Sequence, residues 1–209
     1  MLKVSYIINT VFTSRTYIIR AEGYTECWLV DCGDVAPLEE RLLTEGSVPL
    51  SVKGVLLTHS HYDHIYGLPG LTELYPDVKV YTNGYGKKSL ANERINMSRY
   101  HEDPINYESD NVIVCDEGSV INLFEGVDAL VHFTPGHNPS CLCFEVGDYL
   151  FTGDAYIPGV EVVTNLPGSD KVLAKQSEEK IGLLAEGKTV CPGHELPQEN
   201  EGRESRFIF

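Results

Sequence analysis

The alternation of apolar strand-like runs with amphipathic segments predicts an α+β protein, with sheets packed in the middle and helices outside. Two observations carry that expectation. Three times an apolar run enters a glycine turn and then a ligand-type residue: Val131 to His137, Tyr149 to Asp154 and Lys188 to His194. Between the last two, Asp170 to Gly187 sets Val172, Leu173, Ile181, Leu183 and Leu184 among charged residues and closes on glycine, the pattern of a helix covering a sheet.

The elements follow in order. Met1 to Gly23 reads as two strands, because Asn9, Thr10, Thr13, Ser14 and Arg15 interrupt any signal-peptide core. Trp28 to Asp31 is a third, and Val52 to Leu57 a strand that ends on a histidine cluster. Asp63 to Leu68 looks like the opening of a helix, whose positive end suits a carboxylate. Gly84 to Tyr107 reads as a helix and then a loop rich in Asn, Tyr and Pro. Cys141 to Val146 is a strand, so the overall order is strands, helix, strand, helix-and-loop insert, more strands, helix and a last strand. With 42% hydrophobic residues and no linker or low-complexity stretch, residues 1–209 are expected to form one domain.

His59-Ser60-His61-Tyr62-Asp63-His64 places three imidazoles and a carboxylate within six residues. Positions i and i+2 of an extended segment share a face, so His59 and His61 can grip one ion, while Asp63 and His64 leave at another angle toward a second. Two ions need more ligands than one cluster supplies, and His137, Asp154 and His194 provide them after strands that glycine and proline terminate. A structural zinc site is normally four-coordinate and cysteine-rich; seven nitrogen and oxygen ligands suit two open, catalytic ions better.

Asp31, the His59 to His64 cluster, His137, Asp154 and His194 together resemble the five ordered motifs of the metallo-beta-lactamase superfamily, spread over residues 24–195. The resemblance implies a four-layer αβ/βα sandwich, with two central mixed sheets flanked by helices and metals at one sheet edge. It also implies that His59, His61 and His137 hold one metal, that Asp63, His64 and His194 hold the other, that Asp154 bridges them, and that Asp31 supports the histidine loop. Two adjacent dications, taken as Zn2+, lower the proton affinity of a bridging water toward neutrality and stabilise an oxyanion. The expected activity is therefore hydrolysis of a small carbonyl substrate, a thioester, lactone or ester, with Asp63 orienting the nucleophile or taking its proton.

Within the superfamily the chain looks most like glyoxalase-II-type and lactonase-type hydrolases. Glyoxalase II proper carries a further helical domain that helps bind glutathione, whereas this chain ends fifteen residues after His194, which leaves glutathione thioesters unsupported. Tyr156, two residues past Asp154, is a lactonase-like substrate candidate. The competing reading is a persulfide dioxygenase-like oxidoreductase, whose single Fe2+ would sit on His59, His137 and Asp154. Flavodiiron proteins fit less well, since they place Glu where His61 stands.

A net charge of −15 argues against nucleic acid and anionic membrane as partners, and against the nuclease branch of the superfamily. No apolar run is long enough to span a bilayer, so a cytoplasmic protein acting on a small molecule is expected. Lys87, Lys88, Arg94 and Arg99 concentrate positive charge in one segment, either as a lid in which Lys87 or Arg94 binds a substrate carboxylate or as a solvated helix face. Six scattered cysteines read as reduced thiols, with Cys141 and Cys143 on one strand face as buried small hydrophobes rather than a metal or redox pair. His101 and His132 are assigned ordinary structural roles.

Overall fold

A computed structural model describes residues 1–195, so residues 196–209 of the expected domain lie outside the described residues. Among the described residues the strands form two mixed sheets. The first has six strands in the order β1-β2-β3-β4-β5-β6 and the second five in the order β11-β10-β9-β8-β7.

The first sheet begins with antiparallel β1 (Leu2–Ile8), β2 (Arg15–Ala21) and β3 (Glu26–Val30), and continues in parallel through β4 (Ser51–Leu56), β5 (Lys79–Thr82) and β6 (Val112–Val114). Helices α1 (Val35–Thr44), α2 (Tyr62–Ile65), α3 (Leu68–Leu74) and α4 (Gly84–Leu90) fall between these strands. In the second sheet β7 (Val120–Phe124), β8 (Val127–Phe133), β9 (Leu142–Val146) and β10 (Tyr149–Gly153) are antiparallel neighbours. Helix α5 (Lys171–Leu184) then crosses to β11 (Thr189–Pro192), which runs parallel to β10.

Strand periodicity builds the layers. Ile18 and Leu29 face a core shared with Leu38 and Leu42 of α1 and Leu68 and Leu71 of α3, while their neighbours Ile19, Trp28 and Val30 face the second sheet. In that sheet Leu142, Phe144 and Phe151 point inward, and Cys143 and Leu150 point outward toward Ile181 of α5. Both faces of these strands are buried, which is why they read as continuous apolar runs. The result is helices, sheet, sheet, helix: the α+β sandwich expected. Trp28 Nε1 donates to the Leu123 carbonyl (3.0 Å), and Leu142 N donates to the Thr58 carbonyl (2.7 Å), linking the sheets across the core and at the site edge.

Helix α5 starts on Asp170, whose carboxylate accepts from Val172 N and Leu173 N, and Gly187 follows it at φ +72°. The expected helix at Asp63 to Leu68 is instead two short ones meeting at Gly67. There the Gly67 N–H is drawn to the Cys32 carbonyl, and any side chain would strike the Gly33 carbonyl, so tertiary packing ends the first helix after one turn. Helix α1 and strands β5 and β6 carry no ligand motif.

Candidate metal centre

Strand direction decides which loops can carry ligands. β8 and β10 both run antiparallel to β9, so they are parallel to each other and to β11. Their carboxyl ends therefore emerge at one edge, delivering His137, Asp154 and His194, while β3 and β4 of the other sheet deliver Asp31 and His59. Strand β9 runs the other way and brings only its entering segment, Asn138 to Cys141, to this edge.

Three groups of side chains there have ligand atoms within 4.8 Å of one another: His59, His61 and His137; His59, His64 and Asp154; and Asp63, His64 and His194. All seven expected ligands meet in one place. Asp154 stands between the outer groups, its carboxylate 3.2 Å from His194 Nε2, 3.5 Å from His64 Nε2, 3.7 Å from His137 Nε2 and 4.0 Å from His59 Nε2. Glycine makes this approach possible: Gly153 turns the chain at φ +52°, and a Cβ on Gly193 would collide with the Asp154 carboxylate.

The imidazoles are held from outside. Nδ1 of His64 meets Asp31 Oδ2 (2.8 Å), that of His137 the Val163 carbonyl (2.9 Å), that of His194 the Phe12 carbonyl (2.8 Å), and that of His59 the Thr58 hydroxyl (3.2 Å). Each of these four therefore turns Nε2 inward. Asp31, at φ +60°, also accepts from Thr58 N and Thr58 Oγ1 (both 2.7 Å), so a single carboxylate supports the histidine loop from two sides.

Charge divides the cluster. Burial and the neighbouring His64 press His59 well below the usual histidine range, and burial with His137 pushes His61 down to about 3. Burial opposes charge on His64 and His194 too, but Asp63, Asp154 and Asp31 outweigh it at His64, and Asp154 and Asp63 raise His194 to about 10. Conversely, burial disfavours the Asp63 and Asp154 carboxylates, yet His64 and His194 hold both well below the carboxylate range.

A metal fits this arrangement. Among the described residues, His59 Nε2 and Asp154 Oδ1 are buried without a hydrogen-bond partner, an expensive state for polar atoms that point into a cluster of lone pairs. The donors are imidazoles and carboxylates with no thiolate, a set that suits zinc or iron.

Other features border the cluster. Ile157, Val160, Val162 and Val163 line a cavity of about 30 Å³ against His137 and Asp154, with Glu161 also in its wall. On the opposite side His101 stacks on Tyr62 (3.9 Å between ring centres) and meets Phe12 edge-on (5.9 Å). His101 thus belongs to the rim of the site, at the end of the insert that begins with α4. Ser14 Oγ donates to the Asp63 carbonyl (2.7 Å) and is itself tied to Asn9, which braces the β1–β2 turn against α2. Ser14 and Asn9 gave no functional signal in the sequence, because Asn and Ser are ordinary turn residues.

The three substrate-binding candidates each have surroundings of their own. Lys87 Nζ donates to the Val112 carbonyl (3.1 Å) and lines a separate open cleft with Lys88, Tyr107 and Asp110. Arg94 is exposed in the turn after α4, its backbone N–H bonded to Asn92 Oδ1. Tyr156 packs with Cys141, Cys143, Leu150 and Ile181 under α5. All six cysteines are free and buried, and His132 pairs with Glu145 (3.0 Å) on β9, away from the ligand loops.

Comparison with known proteins agrees with the fold. The family model described as the metallo-beta-lactamase superfamily matches residues 9–194, and the chain belongs to that superfamily. It is 29% identical over 182 residues to a hydroxyacylglutathione hydrolase of Enterobacter sp. (strain 638), covering 87% of this chain but only 62% of that protein's length. Among solved structures it resembles the B3 metallo-beta-lactamase BLEG-1 (TM-score 0.81, 24% identity, 97% of this chain and 98% of that one). It also resembles TTHA1623 in a di-iron-bound form (TM-score 0.76, 25% identity, 98% and 100% covered).

Proposed function

We propose that this chain is a metal-dependent hydrolase that cleaves a small thioester, lactone or ester at a dinuclear, zinc-loaded centre. The observation that carries the reading is the pair of ligand sets, His59/His61/His137 and Asp63/His64/His194, closing on the shared carboxylate of Asp154. Two ions held this way would lower the proton affinity of water between them and polarise a substrate carbonyl.

The chain's own groups supply the rest. Asp63 stays ionised between His64 and His194, its Oδ2 3.2 Å from each Nε2, so it can orient a nucleophile or take its proton. Asp154 keeps the two sets in register. The aliphatic side chains of Ile157, Val160 and Val162 beside His137 and Asp154 offer an apolar wall to a substrate's acyl group. The Enterobacter relative's name supports a thioester, although the match covers under two thirds of that protein. Six unpaired buried thiols support a reducing compartment, the cytoplasm; among the described residues no helix is long and apolar enough to cross a membrane.

A second reading puts iron in the centre, a metal that the di-iron-bound form of TTHA1623 shows this fold can hold, but as a single ion. One Fe2+ on His59, His137 and Asp154 would suit persulfide oxidation, but it leaves Asp63, His64 and His194 without a task. Metal content per chain by elemental mass spectrometry, on protein purified without added metal or chelator, separates the two. Close to two zinc ions with turnover of a thioester, lactone and ester panel supports the hydrolase. About one iron, with oxygen uptake on a persulfide, replaces it by the oxidoreductase.

A further inference from the structure

The turn between β1 and β2 holds two non-glycine residues of positive φ side by side. Ser14 N donates to the Val11 carbonyl (3.2 Å), and the residues between them, Phe12 and Thr13, stand at φ +51° and +55°. That is the mirror-image turn whose two centres favour Asn-Gly, and neither a phenyl nor a β-branched side chain prefers it. Such a turn persists only where its surroundings over-determine it.

Asn9 supplies that hold. The Asp34 N–H points at Asn9 Oδ1 (3.0 Å), which orients the amide so that Nδ2 donates to Ser14 Oγ and Thr16 Oγ1 (3.1 Å each). Asn9 N also donates to the Ser14 carbonyl (2.8 Å), closing the mouth of the turn. Asn9, Ser14 and Thr16 are buried, so bulk water does not substitute for these bonds. Two bonds then carry the clasp to the metal centre. Ser14 Oγ donates to the Asp63 carbonyl (2.7 Å), and the Phe12 carbonyl accepts from His194 Nδ1 (2.8 Å). The first replaces a lost helical bond: Gly67 N, four residues beyond Asp63, donates to the Cys32 carbonyl instead, so the Asp63 carbonyl is left for Ser14. The second turns His194 Nε2 toward Asp63 and Asp154. His59, His61 and His137 are held by other groups, the Thr58 hydroxyl, the Asn138 amide and the Val163 carbonyl.

We propose that Asn9 is a positioning residue for one of the two metal positions: by clasping the Phe12-Thr13 turn it sets Asp63 and His194 for a cation, and it leaves the His59, His61 and His137 set untouched. The proposal rests on the metal-centre reading above and deepens it. The clasp engages only the Asp63 carbonyl and His194 Nδ1, so the Asp63 carboxylate and His194 Nε2 remain available as ligands. It also gives the strained turn a purpose, since that turn carries the Phe12 carbonyl to His194.

The test is zinc affinity by competition with a chromophoric chelator, on the metal-stripped full chain in two backgrounds that each keep one ligand set. His61→Ala keeps Asp63, His64 and His194; His194→Ala keeps His59, His61 and His137. Asn9→Leu preserves volume and removes the clasp, and should weaken zinc roughly 10- to 100-fold in the first background and less than about threefold in the second. Adding Phe12→Asn and Thr13→Gly to Asn9→Leu builds a turn that needs no clasp, and should recover most of the loss, which a mere packing role for Asn9 would not allow. Equal losses in both backgrounds, no loss in the first, or no recovery with the two turn substitutions would overturn the proposal. Where Asn9→Leu does not fold, Ser14→Ala carries the test: it removes the hydroxyl between Asn9 and Asp63, and a loss of about 3- to 10-fold is expected in the first background alone. An unselective or absent loss there overturns the proposal as well. If wild type binds no zinc or other divalent metal, the metal-centre reading falls first and this proposal with it, which differs from wild type binding two ions and the Asn9 variant doing the same.

Discussion

The two ligand sets sit side by side and are prepared for a cation in opposite ways. His59, His61 and His137 are all imidazoles, and burial keeps His59 and His61 neutral, so this set presents lone pairs that His59 Nε2 leaves unpartnered among the described residues. Asp63, His64 and His194 instead satisfy one another: Asp63 lies 3.2 Å from both Nε2 atoms, and the surrounding carboxylates raise the pKa of both imidazoles, that of His194 to about 10. One set is open to a metal at once. The other must first give up the protons that stabilise it in the metal-free chain. The difference comes from where the fold puts carboxylates, since Asp31, Asp63 and Asp154 all converge on His64.

The strongest way to break this contrast is to remove what the two sets share. Asp154→Ala takes away the only carboxylate within 4.0 Å of His59, His64, His137 and His194 at once, as judged among the described residues. It should fold, empty at least one metal position and lower hydrolysis by about three orders of magnitude or more. Two retained metals with near wild-type turnover would mean that Asp154 is not the common vertex.

Next in size is proton competition. His64 and His194 have raised pKa values, so a metal entering that set competes with protons, and its affinity should climb steeply with pH between pH 6 and 8, by about 10-fold per pH unit for the His194 proton alone. The set of His59 and His61, both lowered, should show a much flatter dependence over the same range. Stepwise zinc affinities at three pH values check this; parallel slopes would erase the distinction. The same shifts bear on the metal-free fold. His194's contribution to stability is complete below the unfolded histidine pKa of about 6.5 and fades as pH rises toward 10, while that of His61 is complete above about 6.5 and fades as pH falls toward 3.

How much of this was legible beforehand follows the same division between contiguous and assembled chemistry. The His59 to His64 run and the glycine-turn ligands announce themselves because ligand and turn are adjacent in sequence, and the resemblance then distributes them over two ions. Asn138, Ser140, Ser60 and Ser89 carry no such signal: each is an unremarkable polar residue in a turn or short helix, and they become a chain only when β4, β9 and α4 meet. Lys87 shows the converse. Its charge stands out against an acidic composition, but the turn of α4 on which it sits directs it to the Val112 carbonyl. Likewise, the helical pattern after Asp63 is genuine, but only the packed Gly33 carbonyl shows why it stops.

Asp31→Asn should sharpen the comparison with a smaller effect. Asp31 Oδ2 orients His64 directly, whereas it reaches His59 only through the Thr58 hydroxyl. Replacing the carboxylate should weaken the Asp63/His64/His194 step by roughly 10- to 100-fold and the other by less. Equal losses at both steps would mean that Asp31 acts by holding the loop as a whole rather than the His64 ring.

The smallest expected change lies outside both sets, in the aliphatic wall next to His137 and Asp154. If that wall meets the substrate's acyl group, its shape sets the preferred chain length, because apolar atoms that find no room must remain in water or displace Ile157, Val160 or Val162. Ile157 is the position to change: Val163 supplies the carbonyl that holds His137, and Glu161 pairs with Lys171 at the surface. Ile157→Ala should leave metal content intact and move the optimum of an acetyl-to-hexanoyl thioester series toward longer chains. A gain of about fourfold in kcat/KM is expected for each added methylene that the enlarged cavity accepts. A parallel loss across the whole series would instead mean that Ile157 supports the His137 loop, and an unchanged profile would place the acyl group on the other wall, where Phe12, Tyr62 and His101 stack.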